Sequence, residues 1–389
     1  MTGPAPPTRS PLVRVTSILA AFAVFGLILF FAAIIFVMTS DVFKGDAFPV
    51  DFSAFWAAAQ LALDGRAVEA FDHDTITTAI TIPPEYPQER FFWMYPPTWA
   101  VVTTPLGLLP FWAAWPLFAV ISIGVYLMAL RPWAQSLTGE LNLILAAPVV
   151  VLGAVNANTG MLIAGLLVLA VSAIAQGRHV LAGLMIAAMT VKPTMGVLIP
   201  FALASAGYWR VIMWASIGTI VFAAFAVLPF GLEYWARFFA GILVAADQLA
   251  DGEIPIAVMV TWYAFARFVG LVHGDAMLAQ IGASILLIGV VAGMWRRQIA
   301  LAEKAALLML AAPLATPYAH YYEMAFILAG TVLWVHAGHG KRWDERVLMA
   351  ALWILPVFVT FMRDPAVVPL VGAPLATAML VLVVLRSRA

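Results

Sequence analysis

The sequence predicts an all-α, polytopic integral membrane protein with about twelve transmembrane helices, and three observations predict it. Of 389 residues, 64% are hydrophobic and only 10% are charged, with a mean hydropathy of +1.00. A soluble domain carries about 25% charged residues, so this chain lacks the polar surface to cover a soluble globule. The apolar residues come in long continuous runs, not in the short alternating segments of a membrane barrel. The basic residues also segregate. With the N-terminus in the cytoplasm and the loops alternating, 13 of the 20 Lys and Arg fall inside, with only 4 of the 20 acids, which is the positive-inside pattern. The net charge of zero gives no case for nucleic acid, and the absence of cysteine excludes disulfides and thiol chemistry.

The elements follow in order. Residues 1–14 are proline-rich and are expected as a cytoplasmic tail. The apolar run Val15–Met38 is 24 residues long, roughly 36 Å as a helix. That exceeds a signal-peptide core and lacks a good cleavage site, so it reads as an uncleaved first span. Residues 39–97 form the first extracytoplasmic loop, in which short interfacial helices are expected. Between Thr39 and Tyr95 this loop holds nine acids against three basic residues, Lys44, Arg66 and Arg90. Residues 98–110 are too short and too rich in proline to cross, and read as a helix lying in or re-entering the interface. Counting them as a span would reverse every later loop and place most basic residues outside.

Further spans are expected at 111–130, 141–155, 160–176, 179–191, 193–206, 211–229, 276–294, 300–316, 319–338, 346–362 and 366–385. Several are short and flanked by proline, which suggests tilted or broken helices around a cavity. Residues 230–275 mix aromatics, acids and arginines and form a second extracytoplasmic region with one or two amphipathic helices. The whole chain, 1–389, reads as a single membrane domain without internal repeats.

The candidate chemistry lies on the outer side. Asp51 precedes the aromatic stretch Phe-Ser-Ala-Phe-Trp, where a partly dry carboxylate can act as a general base; it serves equally as a cap for a helix running to Leu63. Trp93 and Tyr95 suit an interfacial belt, and Pro96-Pro97 a helix start. Asn156 and Asn158 interrupt two apolar runs and either line a cavity or form a plain turn. Lys192, before Pro193, either snorkels or meets an anion such as a lipid phosphate. His320 and Glu323 follow Pro317-Tyr318 one helical turn apart; His320 can bind phosphate or move a proton, or belong to an aromatic belt. His336 and His339 sit at the cytoplasmic end with no carboxylate facing them beyond the 341–346 run, and read as headgroup contacts. His73 and Asp74 have no partner geometry that would fix a metal.

These pieces together resemble a known family. An outer loop with an early aspartate is followed by Tyr95-Pro96-Pro97 entering Leu108-Leu109-Pro110, an Asn/Gly break, Lys192-Pro193, and Pro317-Tyr318-Ala319-His320-Tyr321. This is similar to glycosyltransferase family 87, integral-membrane enzymes of the GT-C superfamily that include polyprenyl-phosphate-mannose-dependent α-mannosyltransferases. The resemblance implies a GT-C-like fold and a hexosyltransferase of glycolipid biosynthesis in the inner (plasma) membrane, with its active site outside. The donor would be a polyprenyl-phosphate hexose, the acceptor a lipid or glycan, and the only other partners membrane lipids. No metal, no cofactor and no obligate protein partner is expected. Asp51 would be the catalytic base and His320 a residue near the reaction centre. Lys192, Tyr95 and Tyr318 would contact the donor phosphate, with Asn156, Asn158 and Glu323 lining the cavity. The break departs from the family, which often carries Gly-Gln there. One carboxylate opposite one cationic cluster implies a single displacement with inversion. A secondary transporter or flippase of a lipid-linked substrate is the alternative, but it would use intramembrane charges and inverted repeats; a non-catalytic lipid-binding subunit is a third possibility.

Overall fold

The computed structural model describes residues 51–80, 93–134, 143–358 and 367–387. The expected tail, the span at 15–38 and the opening of the outer loop lie outside the described residues. The described chain is helical, with no strand among the described residues beyond an isolated antiparallel bridge between Met259 and His320.

The loop helices come first: α1 (Asp51–Leu63) and α2 (His73–Ala79), the latter capped by the Asp72 carboxylate accepting from the Thr75 amide at 2.9 Å. The segment α3 (Pro97–Thr103) then runs into a 3-10 turn, Thr104–Leu108. Seven residues cannot cross a bilayer that needs about 20, in line with the reading of 98–110 as interfacial. Proline at N1 starts α3 where its missing N–H costs nothing. The helix α1 is clamped onto this segment by Trp56 Nε1 donating to Leu109 O (3.0 Å) and Gln60 Nε2 to Gly107 O (2.6 Å). A Cβ at Gly107 would lie 3.0 Å from Ala59 Cβ, so the approach depends on glycine.

Next come α4 (Phe111–Leu130), α5 (Pro148–Asn156), α6 (Gly160–Ala175), α7 (His179–Ala188), α8 (Ile199–Ser205) and α9 (Trp209–Asp251). They are followed by α10 (Trp262–Phe268), α11 (His273–Arg296), α12 (Leu301–Ala311), α13 (Met324–His336), α14 (Trp343–Ile354) and α15 (Val367–Arg386).

Among the described residues four helices are long and apolar enough to cross a membrane: Phe111–Trp133, Trp209–Asp251, His273–Arg296 and Val367–Arg386. The pair α5 and α6, bent by 119°, makes a fifth if it counts as one span. The other apolar runs are broken into shorter helices by proline, glycine and polar residues. The sequence reading places separate spans at 141–155 and 160–176; the structure makes them two arms of one bend. It also ends a span at 229, and the structure breaks the helix there: the run Trp209–Asp251 is two helical arms joined across a kink at Gly231, whose φ of 73° is left-handed.

Small residues set the close contact between α7 and α9. A Cβ at Gly183 would lie 2.5 Å from Trp214 Cβ, and one at Gly218 2.8 Å from Ala187 Cβ. The backbones of α7 and α9 therefore meet directly, as small-residue interfaces allow in lipid. The last helix is tied to the start of α14 by Arg386, which pairs with Asp344 and with Glu345 (2.7 Å).

Candidate active site

Five interruptions of the helical pattern converge on one place. The first is the start of α1. Asp51 opens the helix, partly buried, and the next turn buries Phe52 and Phe55 completely or nearly so. Phe55, one helical turn on from Asp51, meets Tyr95 edge-on with ring centroids 5.1 Å apart and Trp99 at 5.0 Å, which builds an aromatic wall along this helix. Such pairs add about 0.5–1.5 kcal/mol beyond their burial.

The second is the segment before α3. Trp93 donates from Nε1 to the Tyr234 hydroxyl at 2.8 Å, which ties the loop to α9. Tyr95 lies close to Thr159 and within the fields of both Asp51 and Glu323. Burial first, and then these two carboxylates, push its hydroxyl well above the usual tyrosine pKa, so it stays protonated and can donate.

The third is the α5–α6 break. Ala157 has a left-handed φ of 46°, the one such non-glycine among the described residues. Asn156 Nδ2 donates to Leu152 O (3.0 Å) and to the Tyr321 hydroxyl (2.7 Å). Asn158 Oδ1 accepts from the Gly160 amide (3.2 Å), while its buried Nδ2 has no protein partner among the described residues. Gly160 abuts the fifth interruption: a Cβ there would lie 2.3 Å from Tyr322 O.

The fourth is Lys192, between the 3-10 turns Met189–Val191 and Pro193–Gly196. Its Nζ donates to Glu323 Oε1 at 2.5 Å and to Thr159 Oγ1 at 3.4 Å, and stands 4.8 Å from the centroid of the Tyr322 ring. The fifth is the loop leading into α13. Glu323 is fully buried, and its second oxygen accepts from the His320 amide at 2.8 Å. The His320 ring stacks on Tyr322 at 5.3 Å and 13°. The loop is held by Val260 N–H donating to Ala319 O at 2.9 Å.

The structure thus brings Tyr95, Asn156, Asn158, Lys192, His320 and Glu323 into one cluster. Asp51 joins it at a distance short enough for its charge to act on Tyr95, Tyr321 and Tyr322. Tyr318 is differently engaged: its hydroxyl donates to Ala245 O at 2.9 Å and its ring packs beside Met259 and Tyr263. Sequence reasoning did not single out Thr159, Tyr321 or Tyr322, although the polar break and the Tyr-Tyr pair beside His320 carried the signal. It also missed a partner elsewhere. His339 faces a carboxylate after all, with Nε2 2.6 Å from Glu303 on α12, while His336 Nδ1 reaches Trp133 O at 3.0 Å. A residue 36 positions upstream reaches His339 because α12 and α13 pack side by side.

The profile of glycosyltransferase family 87 matches residues 93–317, more than half of the chain. The chain belongs to glycosyltransferase family 87. It is therefore a membrane glycosyltransferase. The matched segment contains Tyr95, Asn156, Asn158 and Lys192; Asp51, Tyr318, His320 and Glu323 lie outside it. No curated protein and no solved structure matches the chain.

Proposed function

We propose that this family 87 member moves a hexose, mannose in the first instance, from a polyprenyl-phosphate donor to a lipid or glycan acceptor. Transfer takes place at the extracytoplasmic face of the inner membrane, in a fold of about twelve crossings with both termini inside. The observation that carries the reading is the convergence of Asp51, Lys192 and Glu323 from distant parts of the chain on one buried aromatic cluster. Glu323 pairs with Lys192 and accepts from the His320 amide. The Asp51 charge acts on Tyr95, Tyr321 and Tyr322 from the start of α1, where a carboxylate can take a proton.

With one working carboxylate the reaction is a single displacement. Asp51 takes the proton of the acceptor hydroxyl as that oxygen attacks the anomeric carbon. The bond from that carbon to the phosphate oxygen breaks, and the polyprenyl phosphate leaves with the electron pair, so the product is inverted. An ammonium has three donors; Glu323 and Thr159 take two from Lys192, and the third serves the departing phosphate, with the Tyr95 hydroxyl as a neutral donor beside it. His320 stands near the reaction centre. No metal enters this scheme, and transfer is expected to persist in EDTA.

The test is Asp51→Asn with a purified protein and a panel of polyprenyl-phosphate sugars. Asparagine caps a helix about as well as aspartate, so folding should survive. Transfer should fall about 100-fold or more, the scale of losing a general base. A folded variant transferring at near the native rate would remove Asp51 from the mechanism. Liposomes that show substrate movement without sugar transfer would favour the transporter reading instead.

A further inference from the structure

We propose a binding site for an anionic phospholipid in the groove between α7 and α9, at the far end of these helices from the candidate active site. The helix α6 leads from one to the other: Gly160 abuts the catalytic cluster, and the turn after Ala175 leads to Arg178. Sixteen helical residues separate the two ends, roughly 24 Å. The groove has a volume of about 740 Å³, within the range of small-ligand sites.

Its polar end holds Arg178 and His179 at the start of α7 and Arg210 at the start of α9. Among the described residues no carboxylate pairs with either arginine. Its wall continues along the helices through Leu184 and Met213, 42% and 48% exposed, and Trp214. The floor is shallow and fixed because Gly183 lets the two backbones touch at Trp214. Two guanidinium groups with no carboxylate partner among the described residues, above an exposed aliphatic wall, match a ligand with a phosphate head and an apolar tail. Guanidinium forks suit phosphate oxygens in particular. Inorganic phosphate would use the polar end alone and leave the apolar wall bare. The site does not depend on the transfer chemistry.

The test uses the full-length protein in nanodiscs of dioleoyl phosphatidylcholine, with and without dioleoyl phosphatidylglycerol. It reads retained lipid by native mass spectrometry, together with the melting temperature. The wild type should retain phosphatidylglycerol in preference and melt higher with it. Arg178→Ala/Arg210→Ala should weaken retention about tenfold or more, the scale of losing charge-assisted contacts. It should melt like the wild type in phosphatidylcholine alone, since both side chains are exposed. Arg178→Lys/Arg210→Lys keeps both charges and should retain most of the lipid. Arg296→Ala/Arg297→Ala removes the same charge outside the groove and should behave as wild type. Equal loss in the two alanine pairs would overturn the site, as would equal retention of phosphatidylcholine. Stabilisation by inorganic phosphate equal to that by phosphatidylglycerol would overturn the lipid assignment.

Discussion

The pair between Lys192 and Glu323 can be taken apart one charge at a time. The contact is 2.5 Å long, and the two side chains are 12% and 0% exposed. Lys192→Met leaves the Glu323 carboxylate buried, with the His320 amide as its remaining donor. Stranding one member of a buried pair costs about 3–5 kcal/mol, a large share of the 5–15 kcal/mol that holds a typical domain together. Glu323→Gln strands the ammonium instead and should cost somewhat less, because Lys192 keeps Thr159 and a little solvent. The double variant Lys192→Met/Glu323→Gln removes both charges and should regain most of the loss, since neutral replacement of a buried pair is often nearly free. Denaturation followed by tryptophan fluorescence, run as a double-mutant cycle, measures the coupling. Sugar transfer then separates two roles: if Lys192 also holds the donor phosphate, the double variant is stable but transfers poorly. A loss below about 1 kcal/mol for Lys192→Met, on the scale of an exposed pair, would refute the burial argument. A double variant transferring at the native rate would remove Lys192 from the chemistry.

Other outcomes follow from the same geometry. Gly160→Ala puts a methyl 2.3 Å from Tyr322 O; the displacement should cost about 1–3 kcal/mol and lower transfer, both read on one purified sample. Gly183→Val should separate α7 from α9 and lower the melting temperature more than Gly282→Val, since glycine 282 has open space around it. On the proposed topology a cysteine at Gly252 is labelled from outside and one at Gly340 is not; outside labelling of the second would overturn the crossing count. The hydrogen bond from Arg386 holds Asp344 below the usual carboxylate range. Its contribution to anchoring α15 is therefore complete above the ordinary aspartate pKa of about 4 and is lost as the pH falls below that value. Arg386→Gln should abolish that part of the acid dependence in thermal melts.

Much of the fold is legible because continuous apolar runs end at visible breakers. The expected span at 111–130 coincides with α4, the one at 160–176 with α6, and the one at 366–385 with α15 to within a residue. Pro110 before α4 and Gly177 after α6 mark such ends chemically, through their own backbone constraints. The bend between α5 and α6 is not legible, since a polar break joins two crossings as readily as two arms of one bend. The break after Pro229 is legible, because Gly231 takes a left-handed φ of 73° two residues on and divides α9 there. The pairing of Lys192 with Glu323 lies 131 positions apart in the chain. A local pattern can show that each charge is expensive, but not that each is the other's partner.

What unites the site is irregular backbone. Within a membrane protein, non-helical backbone is tolerated only where it is buried in protein or lines a cavity, because lipid cannot satisfy free amides and carbonyls. Here the interruptions satisfy one another. Asn156 of the third donates to the Tyr321 hydroxyl of the fifth, and Lys192 of the fourth donates to Thr159 of the third and to Glu323 of the fifth. Helix ends also carry partial charge: the start of α6 is electropositive and meets the turn that carries Glu323, the partner of Lys192. A helix run straight through any one of these breaks would pair its own amides, but it would leave the neighbouring break unpaired and the cluster open to lipid. The breaks therefore depend on one another, and the place where they meet is the one where polar side chains from distant parts of the chain can face a polar ligand.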